Sequence, residues 1–243
     1  MAKATARHDG RKAKQLRDLS ISRGINPYAE GSCMVRAGGT QVYAVASVEK
    51  SVPRWMSDQG RGWVTAEYSM LPRANRERSR RERGQIGGRT QEIQRLIGRS
   101  LRAVTDLSRM PNLTITLDCD VLLADGGTRC ASITAAYVAL HDALTWCKAE
   151  GLIEKSPLVD SVAAVSVGIV DGKAVLDLDY PEDSSAAVDA NFVITGKGRL
   201  VEIQMTGEEA TFDEGDLAEL LALAKFGVRK LTAAQRDVLK AGR

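Results

Sequence analysis

The sequence predicts a mixed α+β (α/β) domain, and three observations point to it. Apolar residues alternate in several short runs, which marks strands. They recur at three- and four-residue steps in long runs, which marks amphipathic helices. The two kinds of run are interleaved along 243 residues, a length sufficient for one large domain or two small ones with a proper core.

The opening MAKATARHDGRKAKQLR is polar and basic, and is expected to be peripheral or mobile. Strand patterns start with GSCMVRAGG. They continue in TQVYAVASVEK, where Val42, Ala44, Ala46 and Val48 alternate with their neighbours. GWVTAEYSML reads as another strand, with Trp63 and Tyr68 as core candidates near Trp55. The stretch PRANRERSRRERGQIGGR has no apolar period. It carries seven arginines against two glutamates, with three glycines, and reads as an exposed basic loop.

TQEIQRLIGRSLRAVTDL is helical, with Ile93, Leu96, Ile97, Leu101 and Val104 on one face. TITLDCDVLL alternates cleanly, placing Ile115, Leu117, Cys119, Val121 and Leu123 on one side. A glycine turn follows, then a helix marked by Ile133, Ala136, Tyr137, Leu140, Leu144 and Cys147 that stops at Gly151. Strands VAAVSVGIV, KAVLDLDY, DANFVITG and RLVEIQM come next, and a helix begins near Glu214. The reading is one domain over 1–243, with a two-lobed split near Gly151 as the alternative.

The net charge of +3 is small, but its distribution is uneven. Met1 to Met110 holds 22 Lys and Arg against 10 Asp and Glu, whereas Glu154 to Glu219 holds 4 against 15. One half therefore suits an anionic partner, and the other suits metal or proton chemistry. The four cysteines form no CxxC pair, which argues against zinc and for buried small hydrophobes. No apolar run approaches membrane-span length and no signal peptide opens the chain, so a cytoplasmic location is expected. His8 and His141 are not spaced as a metal or catalytic pair, and His141 reads as structural.

Three segments carry candidate chemistry. In LADGGTRCASITAA, glycines open a helix whose first amides are unpaired, with Thr128 and Arg129 adding charged and neutral donors. That is an anion cradle, or else a tight turn capped by Asp125 or Thr128. It is neither a nucleotide P-loop nor a dinucleotide fingerprint. GGRTQEIQRLIGR repeats the theme, with Gly87 and Gly88 before Arg89 at a second helix start; a flexible hinge is the alternative. LDLDYPEDSSAAVDAN clusters Asp177 and Asp179, expected on one face of a strand, with Glu182, Asp183 and Asp189. Such carboxylates can hold magnesium or deliver a proton. By composition alone, a polar hairpin loop is the simpler reading. The loop arginines Arg73, Arg76, Arg78, Arg80, Arg81 and Arg83 suit phosphates and bases, or merely solvent.

Taken in order, RHDGR, GWVTAEYSMLPRA, GRTQEIQRLIGRSLRAV, CDVLLADGGTRCASITAA, DLDYPEDSSAAVDAN and TGEEATF resemble the ribonuclease PH family of bacterial phosphorolytic exoribonucleases, or tRNA nucleotidyltransferases. The resemblance covers nearly the whole chain. It implies a ribonuclease PH-type domain of two similar βαβ halves, ribosomal protein S5 domain 2-like, assembled as a homo-hexamer, a trimer of dimers. It implies phosphate-dependent 3′-to-5′ trimming of RNA, chiefly tRNA precursor 3′ ends, with nucleotide addition in reverse and inorganic phosphate as co-substrate. The family's phosphate site maps onto Arg89, Gly127, Thr128 and Arg129, with Ser132 as a further ligand. Its catalytic aspartates map onto Asp183 and Asp189, expected to work with Mg2+, and its RNA contacts onto Arg73 and Arg76. A non-catalytic RNA-binding ring subunit and a metal-dependent hydrolytic ribonuclease are the rival readings.

Overall fold

The computed structural model of the chain describes residues 7–82, 84–208 and 210–241. Arg83 and the first six residues, named in the readings above, lie outside them.

The elements run in the order β1 (Leu19–Arg23), β2 (Gly31–Ala37), β3 (Thr40–Glu49), β4 (Trp63–Met70), α1 (Gly88–Arg102), β5 (Thr114–Leu123), α2 (Thr128–Ala149), β6 (Val162–Val170), β7 (Lys173–Leu176), α3 (Tyr180–Asp183), β8 (Val188–Thr195), β9 (Leu200–Gly207) and α4 (Glu214–Lys240). They build two sheets, with strand orders β1-β2-β3-β5-β4 and β7-β6-β8-β9. In the first sheet, β4, α1 and β5 form a βαβ crossover with β4 parallel to β5. The second sheet is antiparallel throughout.

The core explains why these runs fold as they do. The alternation in β3 and β5 puts Val42, Ala44 and Ala46 beside Leu117, Cys119 and Val121 on one buried face. Helix α2 packs on that face, and so closely that a side chain at Gly31 would place its Cβ 2.0 Å from the carbonyl oxygen of Ala139. Its other side meets β6, whose Val162 and Ala164 join the first core, while Ala163, Val165 and Val167 join a second core with α4. The layers are therefore sheet, helices, sheet, helix. A strand covered on both faces need not alternate, which accounts for the uninterrupted VAAVSVGIV. All four cysteines are free and buried. Among the described residues, no helix is long and apolar enough to cross a membrane.

Several expectations need correction. The basic opening is not peripheral from Arg7 onward. Arg11 and Arg17 are buried, and Arg7 is nearly so, all three paired with carboxylates of the second half. Leu19–Arg23, where Leu19 and Ile21 alternate with two serines, adds an edge strand to the first sheet that the sequence reading does not include. The strand expected across KAVLDLDY stops at Leu176. Asp177 takes a left-handed backbone with φ of 60°, and Asp179 caps α3. Asp177 and Asp179 therefore do not share a strand face. Leu123, expected inside, is exposed at the end of β5.

Candidate active site

A cleft of about 840 Å³ opens where the N-termini of α1 and α2 face the second sheet. Arg89, Gly127, Thr128 and Arg129 line one side; Asp183, Asp189 and Glu208 line the other. Gly127 and Asp183, 56 positions apart, thus meet because β5 delivers the glycine turn beside the α3–β8 segment.

The turn has the geometry of an anion cradle. Gly126 and Gly127 both adopt positive φ, 73° and 63°, which glycine does without strain. A Cβ on Gly126 would lie 2.6 Å from the carbonyl carbon of Asp179. Gly127 caps α2 without any side-chain bond, so neither Asp125 nor Thr128 closes the helix end. Gly87 caps α1 in the same uncapped way, and neither helix has an acid in its first turn. Two uncapped, positively polarised helix starts therefore border one cleft, α2 through Gly127, Thr128 and Arg129 and α1 through Arg89.

The donors are themselves held. The Arg129 guanidinium donates to Gln204 Oε1 at 2.6 Å and lies 3.5 Å from Glu92 Oε1, while Gln204 donates to the same Glu92 oxygen at 2.7 Å. Helices α1 and α2 and strand β9 are thereby joined at one side chain. Thr128 Oγ1 lies 2.9 Å from the hydroxyl of buried Tyr68. Burial holds the Tyr68 phenol above its usual range, so it stays protonated and can donate, leaving the threonine proton for a ligand. Arg89 is exposed at the mouth. Ser132 departs from expectation: it is fully buried, and its hydroxyl donates back to the Thr128 carbonyl, so it serves the helix and does not line the cleft.

The carboxylates form the opposite wall. Desolvation by the cleft raises the Asp183 carboxyl above its ordinary value against the pull of Arg129, Arg89 and Arg17. Desolvation raises Asp189 as well, and the charges of Asp183 and Glu208 add to it. Because the folded state holds these protons more tightly than the unfolded chain, each group costs stability once pH rises past the ordinary carboxylate range. The cost grows until the raised value is passed. Asp189→Asn should therefore raise the melting temperature at neutral pH, with the gain vanishing in acid below a pH of about 3.9. Thermal melts of the two proteins at both pH values check this; equal melting temperatures at neutral pH would contradict it.

A second cleft of about 760 Å³ adjoins the first through Asn75, Ala124 and Tyr180, and Arg76 lines it. Arg73 is exposed but lines neither cleft. Sequence reasoning missed Glu208, Gln204 and Tyr180. Glu208 and Gln204 arrive only through β9 pairing to β8, and Tyr180 shows itself only by being an aromatic 63 % exposed. Next to the cleft, His8, Asp179 and Glu182 group closely enough to suggest a metal. Their carboxylates are instead taken by Arg7 and Arg11, which marks the group as a structural clasp.

The chain matches the family models "3′ exoribonuclease family, domain 1" over residues 15–145 and "3′ exoribonuclease family, domain 2" over residues 160–227. It is 57 % identical to a protein of Methylorubrum populi named Ribonuclease PH, covering 94 % of this chain and 98 % of that one. A protein of the same name from Methylobacterium radiotolerans is 55 % identical over the same shares. Among solved structures, the Archaeoglobus fulgidus exosome with RNA bound to the active site superposes with a TM-score of 0.80 at 26 % identity, over 94 % of this chain and 92 % of that one.

Proposed function

The chain belongs to the 3′ exoribonuclease family that includes ribonuclease PH, and from that premise we propose how its cleft trims RNA from the 3′ end with inorganic phosphate as the attacking group. The observation that carries this reading is the pairing of two uncapped, arginine-bearing helix starts with three carboxylates across one cleft. Hydrolysis needs the acids but has no use for a second anion cradle; phosphorolysis needs both.

Phosphate rests on the amides of the Gly127 turn, the Thr128 hydroxyl and the guanidinium groups of Arg129 and Arg89. One of its oxygens attacks the phosphorus of the last linkage, and the bond from that phosphorus to the preceding 3′ oxygen breaks. The departing 3′ oxygen takes up a proton, leaving RNA one nucleotide shorter and a nucleoside diphosphate. Two phosphates must approach each other, and the arginines offset the charge that gathers between them. The same site run backwards extends RNA from diphosphates. A carboxyl whose surroundings raise its hold on a proton suits delivery of one, and desolvation in the cleft shifts both Asp183 and Asp189 in that direction.

The donor set also fits magnesium. Asp183, Asp189 and Glu208 raise one another's affinity for positive charge, and magnesium accepts one or two carboxylates with waters completing its shell. Asp183 and Asp189 would hold it, and bound there it would neutralise charge on the departing oxygen.

RNA enters along the second cleft. Tyr180, exposed at the seam of the two clefts, offers a ring to the terminal base, and Arg76 meets the backbone. Arg73 contributes from farther out. Arg76→Ala should weaken RNA binding and lower the slope of log affinity against log salt by roughly 0.7, while turnover at saturating RNA is kept. Titrations at two salt concentrations measure this, and an unchanged slope would remove Arg76 from the path. Natural substrates on this reading are tRNA precursor 3′ ends, in the cytoplasm. The chain acts as one folding unit, because β6 supplies residues to both cores, and as a homo-hexamer, as the family resemblance implies. A non-catalytic ring subunit has no need of the arginines and aspartates that meet here.

The deciding experiment is incubation of a 3′-tailed tRNA precursor with and without phosphate. Phosphate-dependent release of nucleoside diphosphates is expected. Release of monophosphates, with or without phosphate, would establish hydrolysis instead.

A further inference from the structure

We infer that Arg17 is a positioning residue for this reaction. It ties the loop that receives phosphate to the segment that carries Asp183, so the two walls of the cleft keep one spacing. The inference rests on the phosphorolytic reading above and goes beyond it, since Arg17 does not line the cleft.

Arg17 reaches in both directions at once. Its backbone amide and Nε donate to Asp177 Oδ2 at 2.8 and 3.2 Å, and its Nη2 donates to Asp177 Oδ1 at 2.7 Å. Its Nη1 donates to the carbonyl oxygen of Asp125 and, at 3.5 Å, to that of Gly126. The side chain is only 6 % exposed and that of Asp177 only 11 %, so this is a buried, charge-assisted fork and not a solvated surface pair. One planar group thus bonds the residue before the Gly126–Gly127 turn and a residue six positions ahead of Asp183.

Both ends of that bridge are conformationally demanding. Asp177 holds a positive φ of 60°, a region that non-glycine residues occupy at a cost unless their surroundings impose it. On the other end, Gly126 lies against Asp179 with no room for a Cβ, and a Cβ on Gly127 would lie 3.0 Å from Arg17 Nη2. The loop and the carboxylate segment therefore seat directly on each other, with Arg17 as the wedge. Asp125 Oδ1 also accepts from the backbone amide of Tyr180 at 3.4 Å, a weaker link parallel to the first. Lysine would keep the charge but could not span both partners with a rigid fork. Phosphate must arrive in line with the scissile bond, and a misplacement of about 1 Å can cost about a hundredfold in rate.

The test compares the full-length parent with Arg17→Lys and Arg17→Gln, all assayed well below their melting temperatures. Expected are a phosphate KM raised about tenfold and a kcat lowered about tenfold in Arg17→Gln, an intermediate split in Arg17→Lys, and unchanged RNA affinity. Variants that melt earlier yet keep kcat and phosphate KM within about twofold of the parent would show a purely structural role and overturn the inference. Hydrogen exchange on the parent decides independently of how the variants fold. Added phosphate should protect residues 125–127 and 177–183 together; protection of the loop alone would contradict the coupling. A parent that releases monophosphates would sink the phosphorolytic reading itself, whereas a parent that releases diphosphates beside an indistinguishable Arg17→Lys sinks only the role of Arg17.

Discussion

Arg129→Ala should lower phosphate-dependent trimming by about a hundredfold to a thousandfold, the usual consequence of deleting one preorganised donor at a developing charge. Arg129 sits at the open N-terminus of α2, where the helix end already favours an anion. Its contacts with Gln204 and Glu92 hold the guanidinium in one place, so its ordering is complete before phosphate arrives. The loss should therefore fall on both phosphate KM and kcat. The fold should survive, because the pairing with half-exposed Glu92 is long and Gln204 keeps its own 2.7 Å bond to Glu92 when Arg129 is removed, so α1 and β9 stay joined. Steady-state kinetics at several phosphate concentrations, with a thermal melt as control, measures this. An alanine variant with the parent's phosphate KM would remove Arg129 from the anion site.

Asp183→Asn should be comparably damaging to turnover and nearly silent in binding. The substitution preserves shape but removes the proton and the charge, so kcat should drop by about 10² to 10⁴ while RNA affinity holds. Desolvation keeps this carboxyl above the ordinary range, and a proton donor acts protonated, so the limb of the parent's rate profile on which activity falls as pH rises should lie above that of a solvated aspartate and be altered in the variant. Retained turnover in Asp183→Asn would exclude it from the chemistry.

Much of the site was legible in the sequence because its signals are local. Glycine before arginine at a helix start needs no tertiary information to read as an anion cradle, and the cleft does gather Arg89, Thr128, Arg129, Asp183 and Asp189. The spacing of apolar residues likewise marked β3, β5, α1 and α2. What escaped depends on contacts between distant segments. RHDGR looks like a solvated basic tail until Asp177, Asp179 and Glu182, some 170 positions later, supply its counter-charges. Asp177 fits a strand by period two, yet the bond from Arg17 and the turn into α3 take it out of the sheet. Ser132 lies one turn past the cradle, and only the approach of the second sheet shows that it is sealed inside. Helix α2 reads as one-sided because a helix pattern cannot reveal that a second sheet covers its back.

The central claim is that this cleft immobilises inorganic phosphate beside Asp183. The most direct measurement is a crystal structure of the protein soaked in phosphate. The account predicts a tetrahedral anion against the Gly127 amide, Thr128 and Arg129, with the Asp183 carboxylate facing it across the cleft. Protein atoms filling that position, with Asp183 turned away, would contradict it.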